Sequence, residues 1–211
     1  MKSKIGILLM VAGLGMLAAS LVLFLRNDRE QRDAGTVSHQ HMTQLVEVIR
    51  QHQEEDREPE SPTAETFMQA PDALVKLPQQ REMTVEKING YPYIGFVGIP
   101  ALEKELPVMA EWSYSRLQIA PCRFTGNLYE DNLVIMAHNY ESHFASLQDL
   151  RIGDIVTFTV MDGETTEYEV VALDVLEPTD VEEMIEGFYD LTLFTCTYGG
   201  KSRVTVRCNR T

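Results

Sequence analysis

From residue 5 to residue 25 the chain carries no charged side chain. No other feature constrains the fold as strongly, because an apolar run of this kind leaves water by entering a bilayer. Its backbone is then satisfied only by the internal hydrogen bonds of a helix. About 20 residues are needed to cross the hydrocarbon core, and this run is long enough. Lys2 and Lys4 precede it and favour an N-terminus inside the cell. Arg26, Arg29 and Arg32 on the far side oppose that orientation, although Asp28 and Glu30 accompany them. A cleaved signal peptide is the rival reading, with Ala18-Ala19-Ser20 as its small-residue site. Leu21-Val22-Leu23-Phe24-Leu25 continues the apolar stretch past that site, where signal peptides have usually stopped. The expectation is an uncleaved single-pass membrane anchor over residues 1–26, with everything beyond it outside the cell.

Residues 27–53 are polar, with apolar side chains at Val37, Met42, Leu45, Val46, Val48 and Ile49. That spacing predicts a helix with one narrow apolar stripe. Such a helix either packs on the following domain or a second copy, or stands as a solvated spacer. Residues 54–80 shift to Glu, Pro, Ser, Thr and Gln, a composition that buries too little apolar area to offset chain entropy. They read as a linker, so that residues 27–80 form an extracellular stalk and the folded domain covers 81–211.

That domain alternates short β-rich runs with turns. Strands are predicted at 93–99, 106–111 and 133–137, short helices at 112–119, 144–150 and 181–185. Runs 155–161 and 165–176 flank Asp162-Gly163, a dipeptide suited to a tight hairpin. Seven or eight strands with few helices predict a mainly β fold closed, or nearly closed, into a barrel, since closure removes exposed sheet edges.

The formal charge is −14, and setting aside Lys2 and Lys4 leaves −16 on the external part. A surface of that sign repels nucleic acid and anionic lipid headgroups. Its simplest role is to keep the domain soluble. Three cysteines occur, Cys122, Cys196 and Cys208, without a C-x-x-C pair, so a redox or zinc-ribbon reading has no support. Cys122 and Cys208 either form a disulfide or sit in the core as small hydrophobes, the commoner fate. The His39-Gln40-His41 pair is a weak metal signal and reads more simply as exposed polar filler.

Chemistry concentrates near the C-terminus, where Thr192-Leu193-Phe194-Thr195-Cys196 ends a strand-like run. Tyr198-Gly199-Gly200 then turns the chain and Arg203 opens the next β-branched run. Alternation places Leu191 and Leu193 on one strand face and Thr192, Phe194 and Cys196 on the other. A thiol and a guanidinium thereby meet on one rim, and a nearby cation lowers a thiol pKa from its ordinary value of about 8.5. Ile135-Met136-Ala137-His138 supplies a base at the end of another apolar run. Histidine suits the acid/base role because its unperturbed pKa lies near operating pH. Cys196, His138 and Arg203, each at a strand end, make a candidate acyl-transfer site. His143, the other histidine of the domain, stands five residues from His138, which is not the helical spacing of paired metal ligands. Arg207 shares Arg203's strand face but lies farther from the turn, and reads as a surface ion pair.

These motifs resemble the sortases, the membrane-tethered cysteine transpeptidases of Gram-positive cell envelopes. The resemblance lies in the T-L-x-T-C motif at Thr192–Cys196, the following Arg203, the histidine after Val134-Ile135-Met136-Ala137, and the order His, Cys, Arg. It extends back through Gly98-Ile99-Pro100-Ala101-Leu102 and Leu106-Pro107-Val108, covering roughly residues 85–211. Ala137 and Asn139 depart from residues common beside the family's histidine. The resemblance implies an eight-stranded barrel, catalytic Cys196, His138 and Arg203, and no metal or organic cofactor. It implies as partners surface proteins with a C-terminal sorting motif and an amine acceptor of peptidoglycan or a pilin. Substrate contacts are expected from Asn139, Thr195, Tyr198 and, in the acidic connection before the cysteine strand, Glu182. The alternatives are a cysteine endopeptidase that resolves its thioester with water, and a surface binding module in which Cys196 is structural.

Overall fold

The structure is a computed structural model and describes residues 2–55, 81–185 and 188–211. Most of the predicted linker therefore lies outside the described residues. One helix, α1 (Lys2–Glu55), carries the apolar run and the stalk stripe without a break. It is long and apolar enough to cross a membrane.

The rest is a curled sheet. Its strands are β1 (Glu86–Ile88), β2 (Tyr91–Ile99), β3 (Lys104–Met109), β4 (Cys122–Thr125), β5 (Leu133–Ala137), β6 (Ile155–Val160), β7 (Thr165–Leu176), β8 (Leu191–Cys196) and β9 (Arg203–Arg210). They run in the order β1-β2-β3-β4-β5-β8-β9-β7-β6, and β2 also pairs with β6. That last pairing closes an eight-stranded mixed barrel from β2 round to β6, with β1 as an extra edge strand. The ladder is parallel at β3–β4 and β5–β8 and antiparallel elsewhere. Short helices α2 (Tyr114–Leu117) and α3 (Val181–Ile185) lie in the connections. Sequence periodicity missed β1 and β4, because strands of three and four residues carry too few alternations to register.

Ile94, Val97, Val108, Ile135, Leu193 and Val206 fill the barrel interior. Leu191 and Leu193 point into it as alternation requires, while Phe194 faces outward and packs with Val134, Leu176 and Met184 of α3. A further cluster lies under α1, where Leu45 and Ile49 pack against Tyr93, Met109, Cys122 and Met161. Each such fully buried aliphatic side chain contributes about 1.5–3 kcal/mol.

The stalk stripe is thus docked on the barrel, and its seam differs from the predicted one. Ala34, Ser38, His41, Met42, Leu45 and Ile49 are buried, whereas Val46 is 46% exposed. Three seam residues are small or polar, so apolar periodicity alone could not locate the seam. His41 is not exposed filler: it is 5% exposed, and its Nδ1 lies 2.5 Å from the Tyr93 hydroxyl. Packing therefore extends to residues ahead of Arg81. Cys122 and Cys208 are both buried free thiols, in different clusters, and burial pushes each pKa up to about 12.

Candidate active site

Two parallel strands deliver the site. β5 and β8 pair in the register Ala137↔Thr195, so His138 and Cys196 follow side by side at the same end of neighbouring strands, which lie about 4.8 Å apart. Alternation turns both outward, since Ala137 packs in the interior while Thr195 locks the register by donating its Oγ1 to the Ala137 carbonyl at 2.9 Å. Across the antiparallel β8–β9 ladder, Cys196 faces Arg203 and Thr192 faces Arg207. The connection between these strands is tight. Gly199 and Gly200 both adopt positive φ, which side chains disfavour, and the Thr197 amide donates to the Ser202 carbonyl at 2.9 Å.

Cys196 and His138 line one cleft of about 470 Å³, together with Asn139, Thr195 and Tyr198. Cys196 is half-buried, whereas the other two thiols are buried. The His138 ring stacks on Tyr140, with centroids 4.8 Å apart and planes inclined by 30°. Burial holds the imidazole below the ordinary histidine range, and the Glu30 carboxylate of α1 opposes that shift. The Arg203 guanidinium donates through Nη1 to the Gly200 and Ser202 carbonyls, each at 3.2 Å, and so braces the turn beside the cysteine. Glu182 is not among the residues lining the cleft. It sits in the first turn of α3, on the connection that leads into the cysteine strand.

Arg207 proves to be something other than a surface ion pair. It is 2% exposed and donates to the carbonyls of Met184 at 2.8 Å and Glu183 at 2.6 Å and to Thr192 Oγ1 at 3.2 Å. Its ion pair with Asp174, at 3.3 Å, is only one of these contacts. The guanidinium thus holds the last turn of α3 against β8, a role invisible to strand alternation, which gives Arg203 and Arg207 the same face.

His143 is fully buried behind Tyr140, 5.4 Å between ring centroids. Burial first, then repulsion from His138, brings its pKa down to about 4, against an upward pull from the Ile119 backbone. The folded state therefore prefers the neutral ring. The unfolded chain binds a proton near pH 6.5, so this contribution is complete above that pH and is lost as pH falls toward 4. The shift corresponds to about 3 kcal/mol. Thermal melting of the full chain in detergent should show stability dropping between pH 6.5 and 4. His143→Phe should flatten that dependence, and an unchanged slope would assign it to another group.

The fold is thus a closed mixed barrel with a cysteine and a histidine at the ends of adjacent parallel strands and an arginine across the ladder from the cysteine. The family model described as the sortase domain matches residues 97–211, and the chain belongs to the sortase family. Sortase C1 of Streptococcus agalactiae is similar at 27% identity, over 59% of this chain and 70% of that one, with a TM-score of 0.53. Sortase A of Corynebacterium diphtheriae is similar at 27% identity, over 57% of this chain and 61% of that one, with a TM-score of 0.50. A Clostridium perfringens sortase D5 transpeptidase shares the fold at 24% identity, over 60% of this chain and 82% of that one, with a TM-score of 0.52. No curated protein matches the chain. Family and fold together support a transpeptidase role in general terms.

Proposed function

We infer that this protein is a membrane-anchored sortase that cleaves a sorting-motif peptide through a Cys196 thioester and transfers the acyl group to an amine. The observation that carries this reading is the pairing Ala137↔Thr195, which sets His138 and Cys196 on one rim of one cleft. Cys196 Sγ attacks the peptide carbonyl and its proton passes to His138. The carbon–nitrogen bond breaks as His138 returns that proton to the leaving amine. An amine of peptidoglycan or of a pilin then attacks the thioester, with His138 taking its proton, and free Cys196 is regenerated. No metal or organic cofactor enters this chemistry.

Arg203 is assigned to the oxyanion. It stands opposite Cys196 across the ladder, and the assignment has its guanidinium, which braces the Gly200 and Ser202 carbonyls, turn to the carbonyl under attack, since fixed donors aimed at developing charge are often the largest catalytic contribution. The acyl side of the peptide is assigned to the side of the cleft toward the connection that carries α3 and leads into β8. Asn139 and Tyr198 contact it near the cleft, Thr195 is buried with its hydroxyl on the Ala137 carbonyl and serves the register instead, and Glu182 on α3 favours a basic residue nearby. The anchor, with its N-terminus inside, spans residues 1–26. The stalk covers 27–80 and the catalytic domain 81–211, outside the cell.

Mass spectrometry of products from candidate motif peptides and amines tests the activity. Products carrying only water would support the endopeptidase reading. Arg203→Lys keeps the charge and loses the planar fork. Both Arg203→Lys and Arg203→Ala should therefore lose at least about two orders of magnitude in single-turnover acylation, the scale of one oxyanion donor. Near-normal acylation in Arg203→Lys would reduce the residue to a general electrostatic role.

A further inference from the structure

The cleft that holds Cys196 and His138 has a wall that the catalytic barrel does not supply. Asn27 and Gln31, one helical turn apart on α1, line it together with Tyr140 and Glu141. Residues at this spacing share a helix face. We propose that this turn of α1 is part of the active site, with the Asn27 and Gln31 amides binding the main chain on the leaving side of the scissile bond. The incoming amine acceptor occupies the same place. The proposal rests on the transfer reaction inferred above.

The wall is held firmly. The Gln31 carbonyl accepts from Ser142 Oγ at 3.3 Å. At Gly35 an added Cβ would lie 2.9 Å from the Ser142 Cβ, so glycine is what lets the helix approach the histidine loop so closely. Beside Gly35 the seam includes Ala34, and beyond it continues through Ser38, His41, Leu45 and Ile49, all buried. The electrostatic influence of Glu30 reaches both His138 and Tyr140, which places this turn beside the acid/base residue.

The chemistry of the wall suits a peptide backbone. Primary amides offer both donors and acceptors and carry no charge. The carboxylates of this stretch of α1 line other grooves, Asp28 with Gln31 and Ser142, and Glu30 and Asp33 with Gln118 and Tyr140, so that Glu141 is the one carboxylate among the residues lining the cleft. The acyl side of the peptide is assigned to the side of the cleft toward α3, which leaves the α1 side for the departing segment. Because the acceptor amine must reach the thioester carbon from where the first amine left, one wall serves both. Asn27 also stands only two residues beyond Leu25, about 3 Å along the helix axis. The departing segment is thereby handled next to the end of the protein's own apolar helix.

The test uses the full chain in detergent with two donor peptides, one extending several residues past the scissile bond and one ending in an amide directly after it. In the double variant N27A/Q31A, KM should rise about tenfold for the extended donor and for the amine acceptor, the sum of two modest hydrogen-bond losses. KM for the truncated donor and the alkylation rate of Cys196 by iodoacetamide should remain unchanged. A second variant, Gln31→Trp, should slow labelling of Cys196 by a bulky fluorescein maleimide but not by iodoacetamide. Equal effects on both donors, unchanged KM throughout, or unhindered maleimide labelling in Gln31→Trp would overturn the proposal. Wild type that forms no acyl-enzyme with either donor would instead overturn the transfer reading itself.

Discussion

Cys196→Ala should show no cleavage, no transfer and no acyl-enzyme by intact-mass measurement. Among the described residues it is the one free thiol that is not buried. Burial pushes the Cys122 and Cys208 thiols up to about 12, so neither supplies thiolate near neutral pH. Cys122→Ser and Cys208→Ser should therefore keep their turnover per folded molecule. Both should melt earlier than wild type, because each places a hydroxyl in a core built for sulfur, at a cost of about 1–3 kcal/mol. Residual transfer in Cys196→Ala would remove Cys196 as the nucleophile and require another group to carry the acyl step.

His138→Ala should lose about 10²–10⁴-fold in acylation, the contribution of one positioned acid/base group. Added imidazole should restore part of the loss, since the truncation opens a space beside Tyr140. The pH dependence has a definite sign. In the proposed acylation the neutral imidazole first takes the Cys196 proton, so the step strengthens as pH rises through the His138 pKa. Burial places that pKa below 6.5, and Glu30 pulls it partly back. In Glu30→Gln the midpoint should move further toward acid, as read by single-turnover acylation against pH. A midpoint unmoved by Glu30→Gln would show that α1 holds the histidine loop without tuning it.

Much of the rim that carries Cys196, His138 and Arg203 was legible in the chain because it lies on local patterns. Alternation through Leu191, Thr192, Leu193, Phe194, Thr195 and Cys196 gives the strand faces directly, and the structure keeps them. Gly199-Gly200 marks the turn, and the apolar run before His138 ends at Ala137, where β5 ends. The uncharged run over residues 5–25 likewise dictates a helix whatever surrounds it. Each of these features depends on residues a few positions apart, and backbone sterics together with side-chain period are enough to read them.

What the tertiary structure decided depends on residues far apart in sequence. Closure of the barrel rests on β2 pairing with β6, and the parallel pairing of β5 with β8 sets His138 beside Cys196 across 58 residues. Arg203 and Arg207 are equivalent by period. Only the fold separates a residue bracing the Tyr198-Gly199-Gly200 turn from one buried under α3 and bonded to the Met184 carbonyl. The helix stripe could not be aimed from sequence, because a seam containing Ala34, Ser38 and His41 gains its burial from the surface it meets. That seam carries Asn27 and Gln31 to the cleft lined by Cys196 and His138. Local chemistry therefore marked the candidate side chains and their strands, whereas their neighbours were chosen by long-range packing, whose energy no short window of sequence contains.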